Sequence, residues 1–124
     1  MTEPLRGVVV CHGDLGPALV ASVEEISGIR GALVAVSNSG CNRGQLEERI
    51  VAAVDGRPAV VFVDLPSGSC LFAAARRLGG SEEARVVTGV NLAMLLDFVF
   101  NRELSPEEAA RRAAETGAKA IAAR

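Results

Sequence analysis

The 124-residue sequence contains no tryptophan, no tyrosine and one histidine, and neither sign of charge is in marked excess. Thirteen Lys and Arg residues stand against 15 Asp and Glu, which gives a formal charge of −2. Nucleic-acid-binding domains usually concentrate basic charge on one face, and single-strand binders stack bases on aromatic side chains. Because the sequence offers neither feature, we expect no nucleic-acid partner.

Long apolar runs and export signals are also missing. The longest apolar stretches, such as Ala59–Val63 and Leu92–Leu96, fall far short of the roughly 20 residues that span a bilayer. An acidic residue, Glu3, stands near the start, where a secretory signal would be basic. These features predict neither a membrane span nor secretion.

Motifs for a disulfide framework or a nucleotide-binding site are absent as well. The three cysteines, Cys11, Cys41 and Cys70, include no CxxC pair, which argues against a disulfide framework and favours a reducing cytoplasm. The single lysine, Lys119, lies in no GxxxxGK[ST] motif, and no GxGxxG motif occurs. We therefore predict no nucleotide cofactor.

What the sequence does contain is an alternation of short β-branched runs and amphipathic windows, within a length that suits one domain over residues 1–124. Strands are predicted at 7–11, 32–36, 59–63 and 85–88. Helices are predicted to begin at Gly16-Pro17, at the Asn42/Gln45 capping box, near Ser67 or Ser69, at Asn91 and at Ser105-Pro106. The Asn91 helix is expected to run to about Asn101, and the last helix to reach the C-terminus with an interruption at Gly117.

Four strands, each followed by a helix, predict an α/β fold with a parallel sheet covered on both faces. The flavodoxin-like strand order 2-1-3-4 suits a chain of this length. In that order the winding direction reverses between strands one and three, and ligands bind at the carboxyl ends of the strands at this point.

Chemistry-bearing residues fall at this switch point. His12 directly follows strand one, and Asp64 directly follows strand three. Ser67-Gly68-Ser69 then forms a small-residue turn into a helix, whose backbone N–H groups favour an anion. A histidine, an orienting carboxylate and an anion cradle together predict a phosphoryl-accepting histidine. Asp64 would hold the Nδ1–H of His12, so that Nε2 presents its lone pair.

Two other interpretations compete with this one. His12 and Asp64 could be an ordinary structural histidine and a turn residue. Alternatively, the three cysteines all lie near carboxyl ends of predicted strands and could join His12 in a metal or redox site. Adjacent residues of a strand point to opposite faces, however, so Cys11 and His12 should diverge. We predict no metal and regard the cysteines as buried and inert.

Three segments resemble the enzyme IIA domain of the mannose/fructose/sorbose-type bacterial phosphotransferase system. They are Val9-Val10-Cys11-His12-Gly13, Val61-Phe62-Val63-Asp64-Leu65-Pro66-Ser67-Gly68-Ser69 and Thr88-Gly89-Val90-Asn91-Leu92-Ala93-Met94-Leu95. The resemblance runs along nearly the whole chain in the right order. It implies a flavodoxin-like, cytoplasmic homodimer without a cofactor.

The resemblance also implies roles for residues and partners. His12 matches the histidine that accepts phosphate from the phosphocarrier HPr and passes it to a IIB component, serving a membrane IIC/IID component indirectly. Asp64 matches the aspartate that orients this histidine, and Ser69 matches the serine that contacts the phosphoryl group. The helix from Asn91 to Asn101 is apolar on most sides, which independently favours a homodimer.

The sequence departs from the family pattern at Leu65, Pro66 and Cys70, which would alter the rim of the site and its partner. Relatives tend to carry a C-terminal strand that pairs antiparallel at the sheet edge, and here that strand is expected to be short or missing. Because no IIB domain is fused to the chain, a stand-alone regulatory IIA module of an incomplete system is the alternative function.

Overall fold

The computed structural model describes residues 3–124 and contains four strands and five helices in this part of the chain. The strands are β1 (Arg6–Cys11), β2 (Leu33–Ser37), β3 (Ala59–Val63) and β4 (Ala84–Thr88). The helices are α1 (Leu15–Ser27), α2 (Arg43–Val54), α3 (Ser69–Leu78), α4 (Leu92–Val99) and α5 (Pro106–Lys119). The predicted elements are all present, and the bounds of the strands shift by one residue at most. The last helix, which was expected to reach the C-terminus, ends at Lys119.

The strands form one parallel sheet in the order β2-β1-β3-β4, which confirms the predicted flavodoxin-like topology. In the central pair, Val10 of β1 lies opposite Val63 of β3. β3 ends at Val63, and β1 ends one residue beyond this pair, at Cys11, so the residues that follow the two strands emerge side by side. This is the switch point at which a doubly wound sheet binds its ligands.

The sheet lies between two helical layers because its central strands are apolar on both faces. Val8 and Val10 of β1 belong to a core cluster with α2 and α3, whereas Val9 and Cys11 belong to a cluster with α1, α4 and α5. Every residue of β3 is buried. This double burial explains the continuous apolar runs, since a strand with one wet face would alternate apolar and polar residues.

Helix α5 corrects one prediction, because it continues through Gly117 to Lys119 without interruption. Here the glycine permits close packing of α5 on α4. A Cβ at Gly117 would lie 2.6 Å from Met94 Cε and 3.2 Å from Asn91 Oδ1. The Asn91 side-chain amide donates a hydrogen bond to the Gly117 carbonyl at 3.1 Å. Tertiary packing thus overrides the low helix propensity of glycine.

Helix α4 is also shorter than predicted, since it ends at Val99 and Phe100 caps it. Much of its apolar surface is covered within the chain: Met94, Leu95, Phe98 and Val99 are buried against the sheet, α5 and neighbouring residues. Packing within the chain therefore covers these four residues, and the homodimer stays a prediction.

Beyond α5, residues 120–124 form no strand, so the antiparallel edge strand is not built by the part of the chain that the structure describes. Among residues 3–124, no helix combines the length and the hydropathy needed to cross a bilayer.

Candidate functional site

His12 and Asp64 meet directly above the carboxyl ends of β1 and β3. The Nδ1 atom of His12 lies 2.8 Å from Asp64 Oδ2, and the same carboxylate oxygen accepts the backbone N–H of His12 at 2.8 Å. Two bonds to one oxygen fix both the backbone and the ring of His12. The side chain of His12 is 42% exposed, whereas that of Asp64 is 10% exposed.

The second carboxylate oxygen of Asp64 is held as well, because Oδ1 accepts the backbone N–H of Leu65 at 3.0 Å. Burial raises the pKa of Asp64, but the backbone and ring hydrogen bonds from His12 lower it by more. The net pKa lies below the ordinary value of 3.8, so Asp64 is ionised at neutral pH.

This charge state determines which ring nitrogen is free to react. An ionised carboxylate can only accept hydrogen bonds, so Nδ1 of His12 must carry the proton in the bond to Asp64. Nε2 of the neutral ring then holds the lone pair. The pair resembles the histidine and aspartate of a catalytic triad, in which the carboxylate fixes the tautomer and stabilises positive charge on the ring.

The end of β2 and the loop after it bind Gly13, the residue that follows His12. The sequence pattern did not predict this contact. Asn38 Oδ1 accepts the backbone N–H of Gly13 at 3.2 Å, and the Ser37 hydroxyl donates to the Gly13 carbonyl at 2.8 Å. Ser37 is the last residue of β2, which pairs with β1 on the side opposite β3. Ser37 and Asn38 therefore lie at the carboxyl edge of the sheet. Their position at the end of a strand predicted to pair with β1 was the sequence signal that could have placed them near His12.

The predicted Ser67-Gly68-Ser69 turn forms the amino end of α3 beside the histidine ring. Gly68 precedes the first helical residue, Ser69, and all three residues are exposed. A Cβ at Gly68 would lie 4.0 Å from His12 Cε1. With φ of 94° and ψ of −175°, Gly68 adopts a conformation essentially restricted to glycine. The backbone N–H groups at this helix start are therefore available to an anion next to His12.

The cysteines separate into different environments around the site. Alternation along β1 places Cys11 in the core cluster with α1, α4 and α5. Cys70, in the first turn of α3, belongs to the opposite cluster and lies with its sulfur 3.8 Å from His12 Nδ1. Cys41 donates to the Asn38 carbonyl at 3.2 Å. Of the three cysteines, Cys70 is thus the one that contacts His12.

The two buried thiols are protonated at neutral pH. Burial, followed by the charge of Asp64, raises the pKa of Cys11 to about 12. Burial, again followed by Asp64, raises the pKa of Cys70 to about 11. Neither thiol is activated as a nucleophile, since the thiolate is the reactive form.

The surroundings of His12 are open and partly apolar. Leu65, directly after Asp64, is 51% exposed, and Phe72 on α3 is 63% exposed. The guanidinium of Arg43 lies 5.6 Å from the centre of the Phe72 ring. Cavities of about 590 and 450 Å³ lie along α2 and β2, and His12 lines neither of them. This open geometry suits contact with another macromolecule better than enclosure of a small substrate.

Solved structures with the same fold include several phosphotransferase IIA proteins. The EIIA component from Streptococcus agalactiae has a TM-score of 0.88 at 18% identity, covering 96% of each chain. The mannose/sorbose-specific IIA subunit from Enterococcus faecalis has a TM-score of 0.84 at 24% identity, covering 98% of this chain and 96% of the other. A IIA protein associated with the fucose utilization operon of Streptococcus pneumoniae has a TM-score of 0.79 at 20% identity, covering 99% and 96%. At these identities the likeness establishes the shared fold.

The family follows from the sequence comparison. No curated protein matches the chain significantly. The model of the EIIA-man family, described as the PTS system fructose IIA component, matches residues 7–115. This match includes β1 from Gly7 onward, the other three strands, and both His12 and Asp64. The chain therefore belongs to the EIIA-man family of phosphotransferase system IIA components.

Proposed function

We propose that this protein accepts a phosphoryl group from HPr on Nε2 of His12 and passes it to a IIB component. Family membership supports phosphotransfer in general. The observation that carries the assignment to His12 is its double hydrogen bond to Asp64 Oδ2, with 2.8 Å to the backbone nitrogen and 2.8 Å to Nδ1. A histidine with a merely structural role does not require a carboxylate that fixes its tautomer.

In the proposed step, the Nε2 lone pair of His12 attacks phosphorus on the donor protein. A bond forms between Nε2 and phosphorus, the bond between phosphorus and the donor breaks, and its electron pair leaves with the donor. Positive charge develops on the imidazole and is balanced by the Asp64 carboxylate through Nδ1–H. Transfer to the acceptor reverses these bond changes, so the reaction needs no cofactor on this chain.

The amino end of α3 would stabilise the transferred group. Gly68 lies beside the ring with Ser67 and Ser69 next to it in the chain, and backbone N–H groups at a helix start favour a phosphoryl anion. Phosphoryl transfer depends mainly on alignment and charge stabilisation, so fixed donors lower the barrier without reorganising during the reaction.

The proposed partners are proteins that dock on the open surface around His12. Leu65 directly follows Asp64, and Phe72 lies in the first turn of α3 with Cys70; both are exposed and offer apolar contacts to such a partner. Because the donor and acceptor belong to the sugar phosphotransferase system, we place the protein in the cytoplasm, with membrane components served only through IIB.

We also propose that the protein is a homodimer. Family membership supports this assembly, and exposed apolar side chains remain at the end of α4 and after α5, where Phe100 is 65% and Ile121 is 77% exposed. Light scattering at micromolar concentration should give twice the mass of the chain, and a monomer would contradict the proposal.

A regulatory role is the second candidate. A sigma-54 interaction domain protein from Enterococcus faecalis shares the fold, with a TM-score of 0.77 at 11% identity over 97% of this chain. A regulatory module would use the same phosphorylation of His12 but would not pass the group on. Transfer from the phosphorylated protein to a IIB component therefore distinguishes the two functions.

The test is incubation with enzyme I, HPr and labelled phosphoenolpyruvate. We expect one acid-labile, base-stable phosphate on the wild type and none on His12→Ala, since His12 is the sole histidine. Two-dimensional NMR of the phosphorylated ring should locate the group on Nε2. Label on the His12→Ala variant, or none on the wild type with any cognate HPr, would refute the proposal.

A further inference from the structure

Three side chains of metal-ligating type converge beside the ends of β1 and β3. One ligand atom each from His12, Asp64 and Cys70 lie within 4.8 Å of one another. Within residues 3–124, no other three histidine, cysteine or acidic side chains come as close together. Contrary to the expectation of no metal drawn from the sequence, we propose that this cluster binds a zinc ion, and that bound zinc prevents His12 from accepting a phosphoryl group, the second part resting on the proposed function.

The separations of the ligand atoms suit a tetrahedral ion. Zinc bonds of about 2.0–2.3 Å to nitrogen, oxygen and sulfur place ligand atoms about 3.4–3.6 Å apart at tetrahedral angles. In the structure, Nδ1 of His12 lies 2.8 Å from Asp64 Oδ2 and 3.8 Å from Cys70 Sγ. Shifts of less than about 1 Å per atom therefore complete the geometry.

The donor set favours zinc over the common hard cations. Thiolate sulfur and imidazole nitrogen are ligands of zinc, whereas magnesium and calcium take oxygen ligands. The ion would hold a thiolate from Cys70 and a carboxylate from Asp64, so its two positive charges are matched by two negative ligands. This balance matters because Cys70 is fully buried and Asp64 is 10% exposed.

Exposure of His12 leaves a path for the ion and a fourth ligand. Its side chain is 42% exposed and that of Asp64 is 10% exposed, and a water molecule would serve as the fourth ligand. Cys70 is anchored in the first turn of α3, and Asp64 is anchored by Leu65 N–H. Three protein ligands with one open position form an ordinary zinc arrangement.

Zinc binding reverses the proton arrangement on His12. In the free site Nδ1 carries the proton and Nε2 carries the lone pair. When zinc occupies the Nδ1 lone pair, the neutral ring carries its proton on Nε2, and the Cys70 thiol releases one proton to solvent. Nε2 then has no lone pair with which to attack phosphorus. The same residues thus form either a phosphoryl acceptor or a zinc site.

The competing interpretation is that Cys70 only fills space beneath the imidazole. It belongs to the core cluster of α2 and α3, in which a small apolar side chain packs well. In that case Cys70 binds no metal as a thiolate, and replacement of its sulfur would change packing alone. Metal binding that depends on the sulfur separates the two interpretations.

The first experiment measures binding to the metal-free, unphosphorylated protein. Cobalt(II) serves as a spectroscopic probe, and zinc is titrated by calorimetry. We expect one ion per chain and a near-ultraviolet thiolate-to-cobalt absorption. Saturating magnesium should leave the spectrum unchanged. Absence of the thiolate absorption, or of stoichiometric zinc binding, would overturn the proposal.

Variants assign the ligands. Cys70→Ser should abolish the thiolate absorption and weaken zinc binding more than about tenfold, since even outer groups around a metal contribute 10- to 100-fold. Cys41→Ser is the matched control, because Cys41 lies outside the cluster. Cys41→Ser should retain the thiolate absorption and the zinc affinity of the wild type. Loss of these two properties in Cys41→Ser and their retention in Cys70→Ser would refute the assignment. If circular dichroism shows that Cys70→Ser is unfolded, His12→Gln tests a half-exposed ligand and should weaken zinc binding equally.

The second experiment measures phosphoryl uptake from purified phospho-HPr with and without zinc. Each rate is divided by the zinc-free rate of the same variant. Saturating zinc should slow the wild type and Cys41→Ser more than tenfold, and Cys70→Ser much less. Unchanged wild-type uptake at saturating zinc would refute the block. If no variant accepts phosphate even without zinc, the proposed function fails, while the binding titrations still decide the metal site.

Discussion

One carboxylate oxygen, Oδ2 of Asp64, accepts two hydrogen bonds from His12, at 2.8 Å from its backbone nitrogen and 2.8 Å from its ring. The two residues are 52 positions apart in the chain, and they meet because β1 and β3 are neighbouring parallel strands whose ends differ by one residue in register. The ring of His12 is therefore held by the fold and not by its own loop alone.

The Asp64→Asn variant should show how much of the reactivity of His12 depends on this bond. An amide carries no charge to balance the ring, and its NH₂ group can favour the wrong tautomer. We expect phosphoryl uptake from phospho-HPr to slow by about 10- to 100-fold, because one charge-assisted hydrogen bond contributes about 1.5–3 kcal/mol. The rate is measured by quenched-flow labelling.

Asp14→Asn is the matched control for this change. Asp14 is an exposed carboxylate two residues from His12, and its side chain makes no capping hydrogen bond to α1. Its replacement should leave the rate unchanged. If Asp64→Asn is folded and transfers within a factor of about two of the wild type, a difference well under 1 kcal/mol, Asp64 has no part in the mechanism.

The lowered pKa of Asp64 also predicts a pH-dependent contribution to stability. Because the folded pKa lies below 3.8, the ionised form stabilises the folded state above that value. The contribution is lost as the pH falls through the folded pKa. At about pH 7 the wild type should be about 1–3 kcal/mol more stable than Asp64→Asn, a difference set by charge-assisted hydrogen bonds.

Urea unfolding of both proteins across a pH series tests this expectation. The difference in unfolding free energy should be constant near neutral pH and shrink below pH 3.8. A difference that stays constant over the whole acid range would mean that the charge of Asp64 does not stabilise the fold.

Gly117→Ala should destabilise the protein although alanine is the better helix former. The new Cβ would lie 2.6 Å from Met94 Cε and 3.1 Å from Met94 Cβ, so the end of the Met94 side chain must shift and the contact between α5 and α4 must loosen slightly. We expect a loss of about 1–3 kcal/mol from overpacking. In Gly44→Ala the new Cβ would make only an ordinary 3.5 Å contact with Asn42 Oδ1, so that helical control should gain about 0.5–1 kcal/mol. Thermal unfolding measures the stability of the two variants. If Gly117→Ala stabilises the protein as Gly44→Ala does, α5 does not pack closely on α4 at Gly117.

Gly68→Ala tests the amino end of α3 as an element of the site. Its positive φ of 94° makes any side chain strained, and the new Cβ would lie 4.0 Å from His12 Cε1. Gly80→Ala is the matched control, since its φ is 85° and no atom lies within 4 Å of its Cβ position. Both should lose about 1–3 kcal/mol of stability through backbone strain.

The two glycine variants should nevertheless differ in phosphoryl uptake. At a temperature where both are folded, Gly68→Ala should transfer more slowly than the wild type, whereas Gly80→Ala should match it. Equal rates for all three proteins would show that the backbone at Gly68 does not contribute to transfer.

The order and type of the elements follow from local patterns in the sequence. Continuous β-branched runs such as Ala59–Val63 require burial on both faces, and such strands separated by helices leave few arrangements other than a parallel sheet. The Asn42/Gln45 capping box marks the start of α2 by side-chain bonds within four residues. Because these signals are short-ranged, they can be read without the fold.

The sequence also places His12 and Asp64 at the switch point, since each directly follows a strand that the pattern identifies. Their 2.8 Å separation is a tertiary property, because the register between β1 and β3 sets it. The bracing of Gly13 by Asn38 depends in the same way on where β2 ends.

Packing between distant helices decided the remaining features. Gly117 is a helix breaker by propensity, yet it lies within α5 because Met94 leaves no room for a side chain there. Cys70 contacts His12 because its helix turn packs on the face of the sheet toward which His12 points. Such contacts join residues that are dozens of positions apart, and no local pattern encodes the distance between them.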